Sequence, residues 1–214
     1  MTSLARGLSI TPSSFEEQLA YLKQHKYTSQ SLTALPALLE QDTSIPRNTF
    51  ALTFDDGYED LYTYAWPLLK KYGFHATAFI IINRVGTPDY ATWDQIKEMD
   101  ASGVIDIQSH TLNHPQLSHL TTEYAQFEIE QSKRILEERL GKKITIFCYP
   151  YGDYNPLIVR LTQKANYSLA LTTNGGAWHS YANPLELSRV RLSTQDVRNA
   201  LDRKMKYLFS QKTP

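Results

Sequence analysis

Apolar positions along this 214-residue chain recur in two rhythms. Short, near-continuous apolar runs mark buried strands, and apolar residues returning every three or four positions mark amphipathic helices. The runs Phe50–Phe54, His75–Ile82, Val104–Gln108, Ile144–Tyr149 and Tyr167–Thr172 predict strands, with Arg189–Leu192 as a last one. Helical spacing predicts helices over Asp60–Tyr72, Thr92–Ser102, Thr121 or Thr122 to Leu140, and Pro156–Ala165. Gly73, Gly103 and Gly141 stand at helix stops and Asn155 at a helix start. Before the first strand, Ser13 or Ser14 can cap a helix carrying Phe15, Leu19 and Leu22 on one face. Ser31–Glu40 reads as a turn and short helix, Ile45–Asn48 as a loop, and Thr194 as the cap of a final helix to Phe209. A loop with Gly175-Gly176 spans Thr173–Pro184.

Strands alternating with helices imply parallel βαβ units, hence an α/β fold. The pattern alone admits both a barrel and an open doubly wound sheet. No repeat or linker divides the chain, so residues 1–214 read as a single domain whose first 12 residues carry little pattern. Lys+Arg and Asp+Glu balance at 22 each, which argues against a nucleic-acid binder. Tyr occurs 14 times and Trp three times, a weak pointer to carbohydrate faces. The single Cys148 excludes an internal disulfide, and no apolar run approaches the ~18 residues of a membrane span. The N-terminus lacks the pattern of an export signal; either the chain is not exported or such a segment has been removed. Oligomeric state is open.

Function in parallel α/β folds gathers after the carboxyl ends of strands. Three polar clusters are expected there: Asp55-Asp56 with Gly57, His110 with His114, and Tyr151 to Asp153. Adjacent strand residues face opposite ways, so two consecutive carboxylates require a cation, donors or solvent. An acidic β-turn is the plainer reading of Asp55-Asp56-Gly57 taken alone. Two histidines and one aspartate make a three-ligand set with open positions, the pattern of a catalytic metal.

Thr53-Phe54-Asp55-Asp56-Gly57, His110-Thr111-Leu112-Asn113-His114-Pro115 and Tyr149-Pro150-Tyr151-Gly152 resemble, in order and spacing, the motifs of the polysaccharide deacetylase family. The resemblance runs from about Phe15 to Leu192 and is strongest to the circularly permuted branch that includes poly-β-1,6-N-acetylglucosamine deacetylases. It implies a distorted (β/α) barrel, complete or lacking an N-terminal strand, acting outside the cytoplasm at the cell envelope. It implies a divalent metal, zinc foremost with cobalt or nickel as alternatives, on Asp56, His110 and His114. Asp55 would be the general base toward the attacking water, and the backbone N–H of Tyr151 would hold the oxyanion. Tyr58 and Tyr151 would contact the sugar. The implied reaction removes N-acetyl groups from a GlcNAc-containing polysaccharide and releases acetate.

Two departures qualify the match. Cys148 stands where family members outside the permuted branch carry an arginine that orients the base; Arg189 or Arg191 is the candidate replacement. The branch also has a Tyr-His pair before the first helix that supplies the general acid, and no histidine here precedes His25. His179, at the correct end of the fifth strand, is the preferred substitute over His25, His75 and His119. The alternatives are an O-deacetylase of the xylan-esterase type, which needs the acid less, and a weakly catalytic sugar- or metal-binding homologue.

Overall fold

The computed structural model describes residues 9–36, 48–176 and 183–210. Its main sheet has six parallel strands in sequence order: β3 (Thr53–Phe54), β4 (Ala76–Ile80), β5 (Ile105–Ser109), β6 (Ile146–Cys148), β7 (Leu169–Gly175) and β8 (Leu187–Arg189). A two-stranded parallel sheet pairs β1 (Thr28–Ser29) with β2 (Thr49–Phe50). The helices are α1 (Pro12–Gln24), α2 (Trp66–Tyr72), α3 (Trp93–Ala101), α4 (Thr122–Leu140), α5 (Pro156–Lys164) and α6 (Asn199–Ser210).

Strand order without crossing is barrel-like, and the sheet is a half-barrel with β3 and β8 as its edges among the described residues. Period-two alternation sorts its side chains onto two sides. Ala78, Ile80, Phe147 and Ala170 join the large core beneath the helices. Phe79, Ile146, Cys148, Leu169, Leu171 and Leu187 form a second cluster on the other side, plugged by Leu32. All five residues of β4 are buried, as its unbroken apolar run requires.

Several boundaries differ from expectation, each for a local reason. The first strand divides: Thr49–Phe50 pairs with β1 and Thr53–Phe54 with β4. Thr11, rather than Ser13 or Ser14, caps α1, because Pro12 occupies the first helical position, where a missing N–H costs nothing. The helix of Asp60–Tyr72 contains a π turn at Leu61–Ala65, where the N–H of Trp66 reaches back to Leu61 O. Pro67 follows and cannot donate, so the turn before it widens. The last strand lies at Leu187–Arg189, because Leu187 pairs with Leu171 and fills the inner cluster. Thr194 does not cap the final helix; its hydroxyl binds Ser9 O, and α6 begins at Asn199. In Ser31–Glu40 the expected turn is a 3-10 turn at Leu32–Ala34, helix follows at residues 35–36 as expected, and residues 37–40 lie outside the described ones.

Candidate active site

Three connections meet beyond the carboxyl ends of the strands: Asp55-Asp56 after β3, His110–His114 after β5, and the Pro150–Gly152 turn after β6. Eight non-glycine residues among those described have positive φ, and four are here: Asp56 (72°), Thr111 (69°), His114 (62°) and Tyr151 (58°). Such backbone is costly, above all for β-branched threonine, and its concentration at one place marks a constrained site. The left-handed turn at Asp56 parts the two carboxylates. It depends on Gly57, where φ is +85° and a Cβ would stand 2.9 Å from Ile80 Cδ1.

Asp56 Oδ1 lies 3.5 Å from both His110 Nε2 and His114 Nε2. Within this trio each residue offers one ligand atom, and these atoms all fall within 4.8 Å of one another. His110 is buried, and its Nδ1–H donates to Cys148 O at 2.7 Å, which turns Nε2 toward Asp56. A carbonyl fixing the far nitrogen is the outer support that metal-binding imidazoles use. Burial, then the charge of His110, pushes the pKa of His114 down to about 4, so its imidazole is neutral. Burial disfavours charge on His110, yet Cys148, Asp56 and Asp55 outweigh it and raise its pKa well above the ordinary value. The trio therefore fits a divalent cation in ligand type, spacing and negative potential.

Asp55 turns the other way. Arg189 clamps both its oxygens, Nη1 to Oδ1 at 2.7 Å and Nη2 to Oδ2 at 2.8 Å. The guanidinium is itself held by Thr172 O (2.9 Å), Thr53 Oγ1 (3.2 Å) and Cys148 Sγ (3.3 Å). It thus spans from β8 to β3, showing how far the half-barrel curls at this end. Burial would raise the Asp55 pKa, but Arg189 and then His110 override it and leave it lowered. Asp55 is a carboxylate at neutral pH. Of the two arginines the sequence offered, the structure selects Arg189; Arg191 is exposed, with its carbonyl bound to Lys204 Nζ.

Tyr151 is 61% exposed, and its ring lies 4.4 Å, centroid to centroid, from the His114 ring. Gly152 follows at φ +68°, and a Cβ there would collide with Thr173 Oγ1 and stand 2.7 Å from Thr173 N. Asp153 ties this turn back to the connection after β5, which also carries His110 and His114, by accepting from Ser118 N (2.7 Å) and Oγ (2.6 Å). Tyr58 is half-exposed and stacks on Tyr90 at 4.7 Å, with the Arg84 guanidinium 5.9 Å from the Tyr90 ring.

The expected acid is not among the described residues. His25 stacks on Tyr21, His75 bonds to Gly103 O at the opposite end of β4, and His119 is an exposed turn residue. None of them joins the Asp-His cluster, and His179 lies outside the described residues. The sequence reading missed Glu128, whose carboxylate binds the backbone of the His110–His114 connection. The signal was present, an acidic residue in the buried stripe Ala125, Glu128, Ile129, Ser132 and Leu136 of α4.

Comparison with known proteins agrees with this geometry. The family model described as polysaccharide deacetylase matches residues 42–170. YxkH of Bacillus subtilis, which carries a polysaccharide deacetylase name, is 35% identical over 191 residues, covering 89% of this chain and 68% of that protein. The poly-β-1,6-N-acetyl-D-glucosamine N-deacetylase of Escherichia coli K12 is 25% identical over 80% of this chain, which spans only 32% of that longer protein. The Streptococcus pyogenes deacetylase PplD, solved with acetate, superposes with a TM-score of 0.88 at 31% identity, covering 96% of this chain and 92% of that one. The chain belongs to the polysaccharide deacetylase family.

Proposed function

We propose that this protein is a metal-dependent N-deacetylase of a GlcNAc-containing polysaccharide. The observation that carries the reading is the convergence of Asp56, His110 and His114 beside a second carboxylate, Asp55, held ionised by Arg189. Asp56, His110 and His114 would hold the cation, zinc by ligand type. When bound, it would act as a Lewis acid toward the acetamide carbonyl and ease deprotonation of water. Asp55 accepts the proton of the attacking water. The N–H of Tyr151, set by its left-handed φ of 58°, donates to the developing oxyanion, and the Tyr151 and Tyr58 rings bear on the sugar. Cleavage of the C–N bond returns a proton to the leaving nitrogen and yields a sugar amine and acetate. The named activity of the Escherichia coli relative supports this substrate class. Such a polymer places the reaction outside the cytoplasm; no described helix is long and apolar enough to cross a membrane.

Acetate release from N-acetylated chito-oligomers and β-1,6-linked GlcNAc oligomers, with and without zinc, tests the reading. Zinc-dependent release is expected. None from zinc-loaded protein on either substrate refutes an N-deacetylase and leaves a sugar- or metal-binding homologue. The lack of an acid within reach among the described histidines favours one second reading, an O-deacetylase, since an ester leaving group needs less protonation. Faster release from acetylated xylan than from the amides would decide for it.

A further inference from the structure

The connection that carries both candidate histidine ligands is strained at two points. Thr111 sits at φ 69° and His114 at φ 62°, and Leu112 and Asn113 lie between them. A threonine in the left-handed region does not stay there unaided. Something must hold the segment in a shape it would otherwise leave.

Glu128 does so. Its side chain is fully buried on α4, and its three partners are N–H donors rather than cationic side chains. One oxygen, Oε2, accepts from Leu112 N at 3.0 Å and from Asn113 N at 2.9 Å. The other, Oε1, accepts from Asn113 Nδ2 at 2.6 Å. Asn113 Oδ1 in turn accepts from Asn83 Nδ2 at 2.7 Å, and the backbone of Asn83 binds Leu112 O at 2.9 Å. The two residues between the strained positions are therefore gripped from α4 on one side and from the turn after β4 on the other. A carboxylate buried without a countercharge is expensive, and a plain packing role at a helix stripe would be filled more cheaply by an apolar residue.

We infer that Glu128 is a positioning residue for the metal site, offsetting the strain at Thr111 and His114 and so holding the two imidazoles in convergence. This rests on the metal reading above. Nothing in the role requires contact with the cation or the sugar; Glu128 acts through the backbone amides of Leu112 and Asn113 and the Asn113 side chain.

The hydrogen-bond pattern suggests a compensation test. In Glu128→Gln the new amide oxygen can keep both backbone donors, but its NH2 then faces the Asn113 NH2. In Asn113→Asp two carboxylates face each other. In the double variant, Glu128→Gln with Asn113→Asp, the new carboxylate accepts from both the new amide and Asn83, and every donor again has an acceptor. Zinc affinity by chelator competition and the visible spectrum of the cobalt-substituted protein are measured for each, together with thermal unfolding. The expected result is a zinc affinity lowered about 10- to 100-fold in both single variants and in Glu128→Leu, the usual range for outer supports of metal ligands. The double variant should recover most of the loss and the wild-type cobalt spectrum. Wild-type affinity in both single variants, or a double variant no better than the worse single, overturns the inference. Amide hydrogen exchange at Leu112 and Asn113 supplies a metal-free readout. Slow exchange in wild type that accelerates at least about tenfold in Glu128→Gln or Glu128→Leu supports the grip; unchanged rates overturn it. A wild-type protein that binds no zinc refutes the metal reading, and the exchange rates still decide whether Glu128 holds the segment.

Discussion

Asp55 and Asp56 are adjacent, identical in chemistry, and differ in everything their surroundings impose. Asp56 is aimed at two imidazoles, and Asp55 is locked in a fork-to-fork pair with Arg189. Asp55→Asn keeps the shape but removes the proton acceptor. Turnover should fall by about 10²- to 10⁴-fold while zinc affinity stays near wild type; near-full rate in this variant would remove Asp55 from the base role. Arg189→Lys keeps the charge but loses the fork, which matters where both carboxylate oxygens are engaged. Losing one charge-assisted bond is worth about 1.5–3 kcal/mol, so kcat should drop about 10- to 100-fold with KM and zinc affinity little changed. A loss confined to KM would show that Arg189 serves substrate binding instead. The convergence of Asp55, Asp56, His110 and His114 was legible because these residues sit in short motifs. Arg189 was legible only as one of two candidates, since it lies 134 residues from Asp55 and no local spacing expresses that contact. Glu128 was not recognised, because two of its three partners are backbone amides, and its one trace in the sequence is an acidic residue in the buried stripe of α4.

At the scale of elements, helix existence was set by periodicity, and the errors fell at ends, where partners distant in sequence decide. The segment before α6 shows this. Thr194 looked like a helix cap, but Asp196 organises the turn instead, accepting from Ser193 N (2.7 Å), Ser193 Oγ (2.8 Å) and Lys204 Nζ (2.8 Å). Burial would raise the Asp196 pKa, but Lys204 and Ser193 outweigh it and lower it in the folded protein. A carboxylate with a depressed folded pKa stabilises the fold above its unfolded pKa and loses that contribution as pH falls through the folded value. Asp196→Asn should therefore unfold at lower temperature than wild type at pH 7, and the gap should close below about pH 4. A gap independent of pH would mean the amide disturbs packing rather than charge. The turn that carries Tyr151 is tied by Asp153 to Ser118 and depends also on a close backbone fit. Gly152→Ala meets both an unfavourable φ of +68° and the Thr173 backbone, so the turn must move. The cost is on the order of 1–3 kcal/mol, and deacetylation should be lost more completely than stability. Full activity in this variant would show that the Tyr151 turn is not needed for turnover.

The described sheet is a half-barrel whose two edges, β3 and β8, are bridged at the end that carries the Asp-His cluster by a side chain rather than by backbone pairing among the described residues. The three candidate ligands come from two connections, one after β3 and one after β5, separated by β4. A cation held by all three would tie these connections together in the folded state only, because the unfolded chain does not bring Asp56 near His110. Ligand that binds only the native state stabilises it by mass action, about 2.7 kcal/mol at a free concentration 100 times the dissociation constant. For a chain of this size, 1 kcal/mol moves the midpoint by about 2–4 °C, so saturating zinc should raise it by roughly 5–10 °C. Chelator should reverse the shift and remove deacetylation together. His114→Ala leaves two ligands on a half-buried site and should abolish the shift, read against the variant's own metal-free midpoint, because removing a ring that lies 4.4 Å from the Tyr151 ring also costs packing. Asp55→Asn should keep the shift in full. A zinc-induced rise that survives in His114→Ala would place the metal elsewhere, and no rise in wild type would separate this chain from the metal-dependent reading altogether.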